Sequence, residues 1–238
     1  VSAVATDGVS LHWRPLQAIG EAANPDALAL GSVAIWRLAA ARGDRRWREI
    51  IAAYLGIPVA ALVVENAAHG KPHVVGGVVQ FNLSHSHGQT VVGVSRELAL
   101  GVDIEHYRPL TWRAQLLRRC FTAAEQAVLA GADDRRILRW WSGKEALVKA
   151  HGRGIAYGLD RIELRETADG VIGLHALQGP AGPATRWSLR PLPAQADYVG
   201  MLAIEGAPRR IECFALAPDV SSDQPGRDAQ SGESRDAR

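Results

Sequence analysis

Apolar residues change their spacing several times along the chain, and each change marks an element. Residues 9–16 (VSLHWRPL) alternate roughly, the period of a half-buried strand. A helical region is expected over about 25–54, interrupted near Arg42, Gly43 and Asp44. Its second part, RRWREIIAAYLG, puts Trp47, Ile50, Ile51, Tyr54 and Leu55 at helical spacing, and Gly56 and Pro58 close it. AALVVEN then reads as a strand and HGKPH as a turn. VVQFNLSHS and TVVGVS form two strands around a His-Gly loop. ALGVDIE pairs next, giving an expected antiparallel meander.

The second half turns helical. In FTAAEQAVL, Thr122 stands three residues before Glu125, a capping-box pattern. Asp133 and Asp134 favour a helix start before RRILRWWSGKEALVKA, where Trp140 and Trp141 serve as core anchors and Gly152 and Gly154 end the run. Strand-like runs follow at 161–165, 171–176, 185–192, 199–205 and 210–216. Helices and strands therefore fall into two blocks of similar order, an α+β pattern rather than alternating βαβ. The expected divisions are 1–105, 106–216 and a tail, 217–238. That tail, APDVSSDQPGRDAQSGESRDAR, has almost nothing to bury and is expected to be disordered.

Composition narrows the classes. The 238 residues are 47% hydrophobic and 22% charged, enough for a real core. A net charge of +2 is too weak to argue for nucleic acid or an anionic membrane as the general partner. Cys120 and Cys213 form no CxxC pair, which reads as a reduced, cytoplasmic protein. No apolar run approaches the ~18 residues of a membrane span, and no signal peptide is visible at the N-terminus.

GVDIE raises the chemical question. Asp103 and Glu105 are two apart on a strand and share a face, with Val102 and Ile104 on the other. Such a pair suits a hard divalent cation such as Mg²⁺, and equally a solvated strand face. In WWSGKEALVKA, Glu145 and Lys149 stack one helical turn apart, as a third acid with a phosphate-neutralising lysine or as an ordinary surface pair. FNLSHSHG offers Ser84, His85 and His87. Zinc lacks a completing ligand there, and a histidine contacting an anion fits better. Lys71 sits in the HGKPH turn. Arg42, Arg45, Arg46 and Arg48 form a basic segment, a phosphate clamp or simply a basic helix face. No GxxxxGK[ST] loop occurs, which argues against a P-loop nucleotide hydrolase.

GKP, FNLSHS, GVDIE and WSGKEALVKAHGRG, in that order and spacing, resemble the 4'-phosphopantetheinyl transferases, and more closely their larger, surfactin-type, monomeric branch. The likeness is dense from about Gly70 to Gly158. It implies a pseudo-dimer of two similar α+β lobes with coenzyme A in the cleft between them. It implies transfer of phosphopantetheine from coenzyme A to a serine of an apo acyl or peptidyl carrier protein, leaving adenosine 3',5'-bisphosphate. A coenzyme A or carrier-binding module without turnover is the alternative. By resemblance, Asp103, Glu105 and Glu145 match magnesium ligands, and Glu145 also matches a base for the carrier serine. Lys149 matches the lysine at the pyrophosphate, Ser84 and His85 the step that touches the coenzyme's phosphates, and Lys71 a nucleotide contact. The family's basic segment ahead of its first long helix is missing from PDALALGSVAIW, which leaves Arg37, Arg42, Arg45, Arg46 and Arg48 as the candidates to substitute. The region of Arg113, Arg118 and Arg119 is the expected docking face for an acidic carrier helix.

Overall fold

The computed structural model describes residues 11–39, 45–193 and 195–218. In chain order it holds β1 (Trp13–Leu16), β2 (Ser32–Ala39), α1 (Arg46–Leu55), β3 (Val64–Asn66), β4 (Pro72–Val74), β5 (Gln80–Ser86), β6 (Gln89–Ser95) and β7 (Leu100–His106). Then come α2 (Arg113–Cys120), α3 (Ala123–Leu129), α4 (Asp134–His151), β8 (Ile162–Glu166), β9 (Ile172–Leu177), β10 (Trp187–Pro191), β11 (Tyr198–Glu205) and β12 (Arg210–Leu216). The mixed α+β class is as expected. Residues 9–10 of the first expected strand, Arg42, and the expected tail from 219 onward lie outside the described residues.

Two sequence expectations fail, for physical reasons. SVAIWRLA is strand β2, not part of a long helix. It is the central strand of a five-stranded sheet ordered β1-β12-β2-β6-β5, and it is buried on both faces. A strand covered on both sides loses its alternation, so its apolar run imitates a buried helix. The meander also breaks. β5 and β6 form the expected hairpin, but β7 leaves that sheet and pairs antiparallel with β11 in a second sheet ordered β10-β11-β7.

The two sheets pack face to face in layers. On the outer face of the five-stranded sheet, Trp36, Leu38, Phe81 and Val92 pack against Ile50, Ile51 and Tyr54 of α1. On its inner face, Val33, Ile35 and Val91 meet Val102, Ile104, Leu202 and Ile204 of the second sheet. The far side of that second sheet, including Met201 and Ala203, carries α4. β12 runs parallel between β1 and β2, so the last described strand completes the sheet begun by the first. No described helix is long and apolar enough to cross a membrane.

Candidate active site

Helix α4 begins and ends where its sequence dictates. The Asp133 carboxylate accepts from the Arg136 N–H at 2.7 Å, and Gly152 closes the helix in the left-handed region at φ 71°. In between, its backbone lies directly on β7. A Cβ added at Gly101 would meet the Ala146 carbonyl oxygen at 2.1 Å and the Ala150 nitrogen at 2.3 Å. Only a residue without a side chain permits that approach. It brings the Asp103 and Glu105 face of β7 against the Glu145 and Lys149 face of α4.

Asp103 is the hub. It is 3% exposed, and each carboxylate oxygen is held. Oδ1 accepts from Ser84 Oγ at 3.0 Å and from Lys149 Nζ at 2.6 Å, while Oδ2 accepts from Ser142 Oγ at 2.7 Å. Ser84 Oγ in turn accepts from Lys149 Nζ at 3.1 Å and from the Ile104 N–H at 3.2 Å. Three elements, β5, β7 and α4, thus meet at one carboxylate.

Asp103, Glu105, Glu145, Lys149, Ser84 and His85 all line one cavity of about 370 Å³. The acids do not share it comfortably. Burial, then the charge of Asp103 and that of Glu105, push the Glu145 carboxyl up to about 7, with Lys149 partly offsetting them. Burial and Asp103 also raise Glu105, against the pull of Arg108, Lys149 and a Trp141 hydrogen bond. Glu145 Oε1 is buried and has no hydrogen-bond partner among the described residues. As arranged, no three His, Cys, Asp or Glu side chains among the described residues converge closely enough to hold an ion.

The strain on Glu145 has a thermodynamic sign. A carboxyl raised by folding destabilises the fold when ionised, so stability is greatest below the unfolded value of 4.5 and falls as pH rises to about 7. In chelator, Glu145→Gln is expected to raise the melting temperature at pH 8 by several degrees. That corresponds to at most about 3 kcal/mol. At pH 4 the variant and the parent should melt together. Calorimetry at both pH values checks this, and equal melting at pH 8 would contradict it.

A second cavity of about 260 Å³ adjoins the first, because Glu145 and Lys149 line both; it also includes His69, Lys71, Asn82 and Gly152. Lys71 turns inward there. Its Nζ donates to the carbonyls of Leu100 at 3.0 Å and Ala150 at 2.8 Å, clamping the start of β7 to the end of α4, and burial lowers it to about 8. His85 is exposed at the mouth of the first cavity. Arg45 and Arg48 are not brought there. Arg45 precedes α1, and Arg48 lies on it over Trp47, donating to the Leu62 carbonyl; neither lines either cavity.

Ser142 and Lys144 escaped the sequence reading. Lys144 is wholly buried beside Glu145. Its Nζ donates to Glu125 at 2.5 Å and to the carbonyls of Cys120, Leu159 and Ile162 at 2.9, 3.0 and 2.7 Å, and it stands 4.8 Å over the Phe121 ring. The available signal was its place on the apolar stripe of Trp140 and Leu147.

Comparison with known proteins comes down on one family. The profile described as the 4'-phosphopantetheinyl transferase superfamily matches residues 99–202, which include β7 and α4. The chain is 33% identical over 186 residues to 4'-phosphopantetheinyl transferase psf-1 of Bacillus pumilus, covering 71% of this chain and 78% of that one. It is 30% identical to 4'-phosphopantetheinyl transferase HetI of a Nostoc species, covering 71% of each. To 4'-phosphopantetheinyl transferase Sfp of Bacillus subtilis it is 26% identical, over 56% of this chain and 60% of that one. With its acids and lysine gathered at one cavity inside the matched segment, the chain belongs to the 4'-phosphopantetheinyl transferase superfamily.

Proposed function

We propose that this protein transfers the 4'-phosphopantetheine group of coenzyme A to a serine of an apo acyl or peptidyl carrier protein, releasing adenosine 3',5'-bisphosphate. The observation that carries the reading is the single cavity where Asp103, Glu105 and Glu145 meet Lys149. The alternative of a silent binding module is not favoured, since the relatives above are named as transferases.

In the reaction the carrier serine oxygen attacks the phosphorus bearing the pantetheine arm. The P–O bond to the adenosine bisphosphate breaks, and the serine proton must go to a base. Glu145, with a free oxygen and an acidity near neutral, takes it directly or through water. Lys149 places positive charge beside the leaving phosphate, and Ser84 and His85 meet the coenzyme's phosphates. The chemistry of the donor set suits a magnesium ion once the three carboxylates are drawn together: their oxygens are hard, one of them is orphaned, and they carry more negative charge than Lys149 neutralises. Asp103, Glu105 and Glu145 would hold it, and it would supply positive charge to the diphosphate. The coenzyme fills the two adjoining cavities, in the cleft between two similar lobes. On α2, Arg118 and Arg119 are exposed to meet an acidic carrier helix. Arg113 is committed elsewhere, to Asp134 at 3.3 Å and to the Leu129 carbonyl.

The test incubates the protein with coenzyme A, Mg²⁺ and several apo acyl and peptidyl carriers. One carrier should gain the mass of one phosphopantetheine. No gain on any of them, with folded protein, would sink the proposal. Asp103→Ala is expected to lower kcat by about a hundredfold or more, because it organises the whole site, and Lys71→Ala by about tenfold or less. Equal losses at saturating coenzyme A would count against that ranking.

A further inference from the structure

The two sheets are joined by side chains where a backbone ladder would be ordinary. β7 is the outer strand of its sheet, and alternate N–H groups along it point away from β11. Tyr107 is in the phase that faces inward, donating to the Asp197 carbonyl at 2.7 Å. The opposite phase, Val102, Ile104 and His106, faces the inner surface of the five-stranded sheet. There β5 presents Asn82, Ser84 and Ser86, two residues apart and therefore on one face.

Each step pairs. Asn82 Oδ1 accepts from the Val102 N–H at 2.9 Å, Ser84 Oγ from the Ile104 N–H at 3.2 Å, and Ser86 Oγ from the His106 N–H at 2.9 Å. The edge of one sheet is stitched to the face of the other in a fixed register. The three pinned amides bracket Asp103 and Glu105, one on each side of each acid. A buried N–H without its acceptor costs about 1–3 kcal/mol, so this register is enforced.

We propose that Asn82 and Ser86 are positioning residues of the transfer site. With Ser84 they fix the free edge of β7, and so fix Asp103 and Glu105 against Glu145 and Lys149 of α4. This rests on the transfer reading above. It assigns a role to two residues whose own hydrogen bonds go to the β7 backbone and not to Asp103; Asn82 in addition lines the second cavity.

Threonine and valine have the same shape, and only threonine keeps the hydroxyl, so Ser86→Thr and Ser86→Val isolate the bond. In Ser86→Val the His106 amide should exchange with deuterium about tenfold faster or more, while Tyr107 keeps its protection. Its kcat should fall about tenfold, with KM for coenzyme A within about twofold, because misplaced acids impair chemistry more than binding. Ser86→Thr should retain both properties. At Val102, Asn82→Asp (acceptor kept) and Asn82→Leu (acceptor removed) should repeat the contrast in exchange. Equal kcat for the valine and threonine variants, or a raised KM at unchanged kcat, would overturn the positioning role. Exchange needs no turnover. Equal His106 exchange in the two variants would overturn the hold even if the parent protein loads no carrier, an outcome that separately removes the transfer reading.

Discussion

Gly101→Ala is expected to cut carrier loading by about a hundredfold or more while leaving the protein folded, because it separates α4 from β7. The new methyl would meet backbone atoms of Ala146 and Ala150, which cannot rotate aside as a side chain would. The helix must retreat by an ångström or so, roughly the gap between 2.1 Å and ordinary contact. Asp103 would then lose its 2.7 Å and 2.6 Å bonds to Ser142 and Lys149. Overpacking of this kind typically costs about 1–3 kcal/mol, which a domain of this size survives. Steady-state kinetics together with a melting curve separates the two effects. Loading within about threefold of the parent would mean that α4 accommodates the methyl without moving the acids.

Lys144→Ala is expected to produce the largest loss of stability. The ammonium is wholly buried, and desolvation lowers its pKa against the opposing pull of Glu125. Removing it leaves the charge of Glu125, itself 1% exposed, without its cation and takes a donor from three main-chain carbonyls, of which Leu159 keeps the Ile162 N–H. Breaking a buried pair in this way costs about 3–5 kcal/mol, or a fall in melting temperature on the order of 10 °C. Adding Glu125→Gln should recover part of the loss by removing the stranded charge. The recovery is only partial, because the Thr122 and Leu164 N–H groups now sit on separate carboxylate oxygens and the single amide oxygen can accept from one of them. If the double variant melts no higher than the single one, the orphaned carbonyls and not the lone charge dominate.

Legibility in the sequence followed how local each cause was. The β5–β6 hairpin, the Thr122–Glu125 capping box and both ends of α4 are set by residues within a few positions, and all appear as expected. Glu145 and Lys149 share a helix face for the same reason. β2 was misread because burial on both faces erases the period that identifies a strand. The partner of β7 was misread because strand order is a tertiary fact: Asn82 and Ser86 look like ordinary polar positions until β7 lies on them. The apolar stripe marked the position of Lys144 but not its partners, for a related reason. A lysine is assigned to the surface unless its acceptors, drawn here from α2, α3 and the segment after α4, are already known to converge. Lys71 shows the converse: its turn was legible, but not that its ammonium would turn inward onto two carbonyls.

The placement of β12 governs the order in which the molecule can be assembled. Residues 210–216 lie between β1 and β2, about two hundred positions from the first of them, and pair in parallel with both. During synthesis the first hundred residues can form the β5–β6 hairpin and α1, but the sheet retains a vacant slot until the chain's last described strand emerges. β7 waits as well, because β11 arrives almost as late. The acids of the site are therefore translated early and positioned late. Contacts of such separation close slowly, and the exposed edges of β1 and β2 are the surfaces a nascent chain must keep from pairing wrongly.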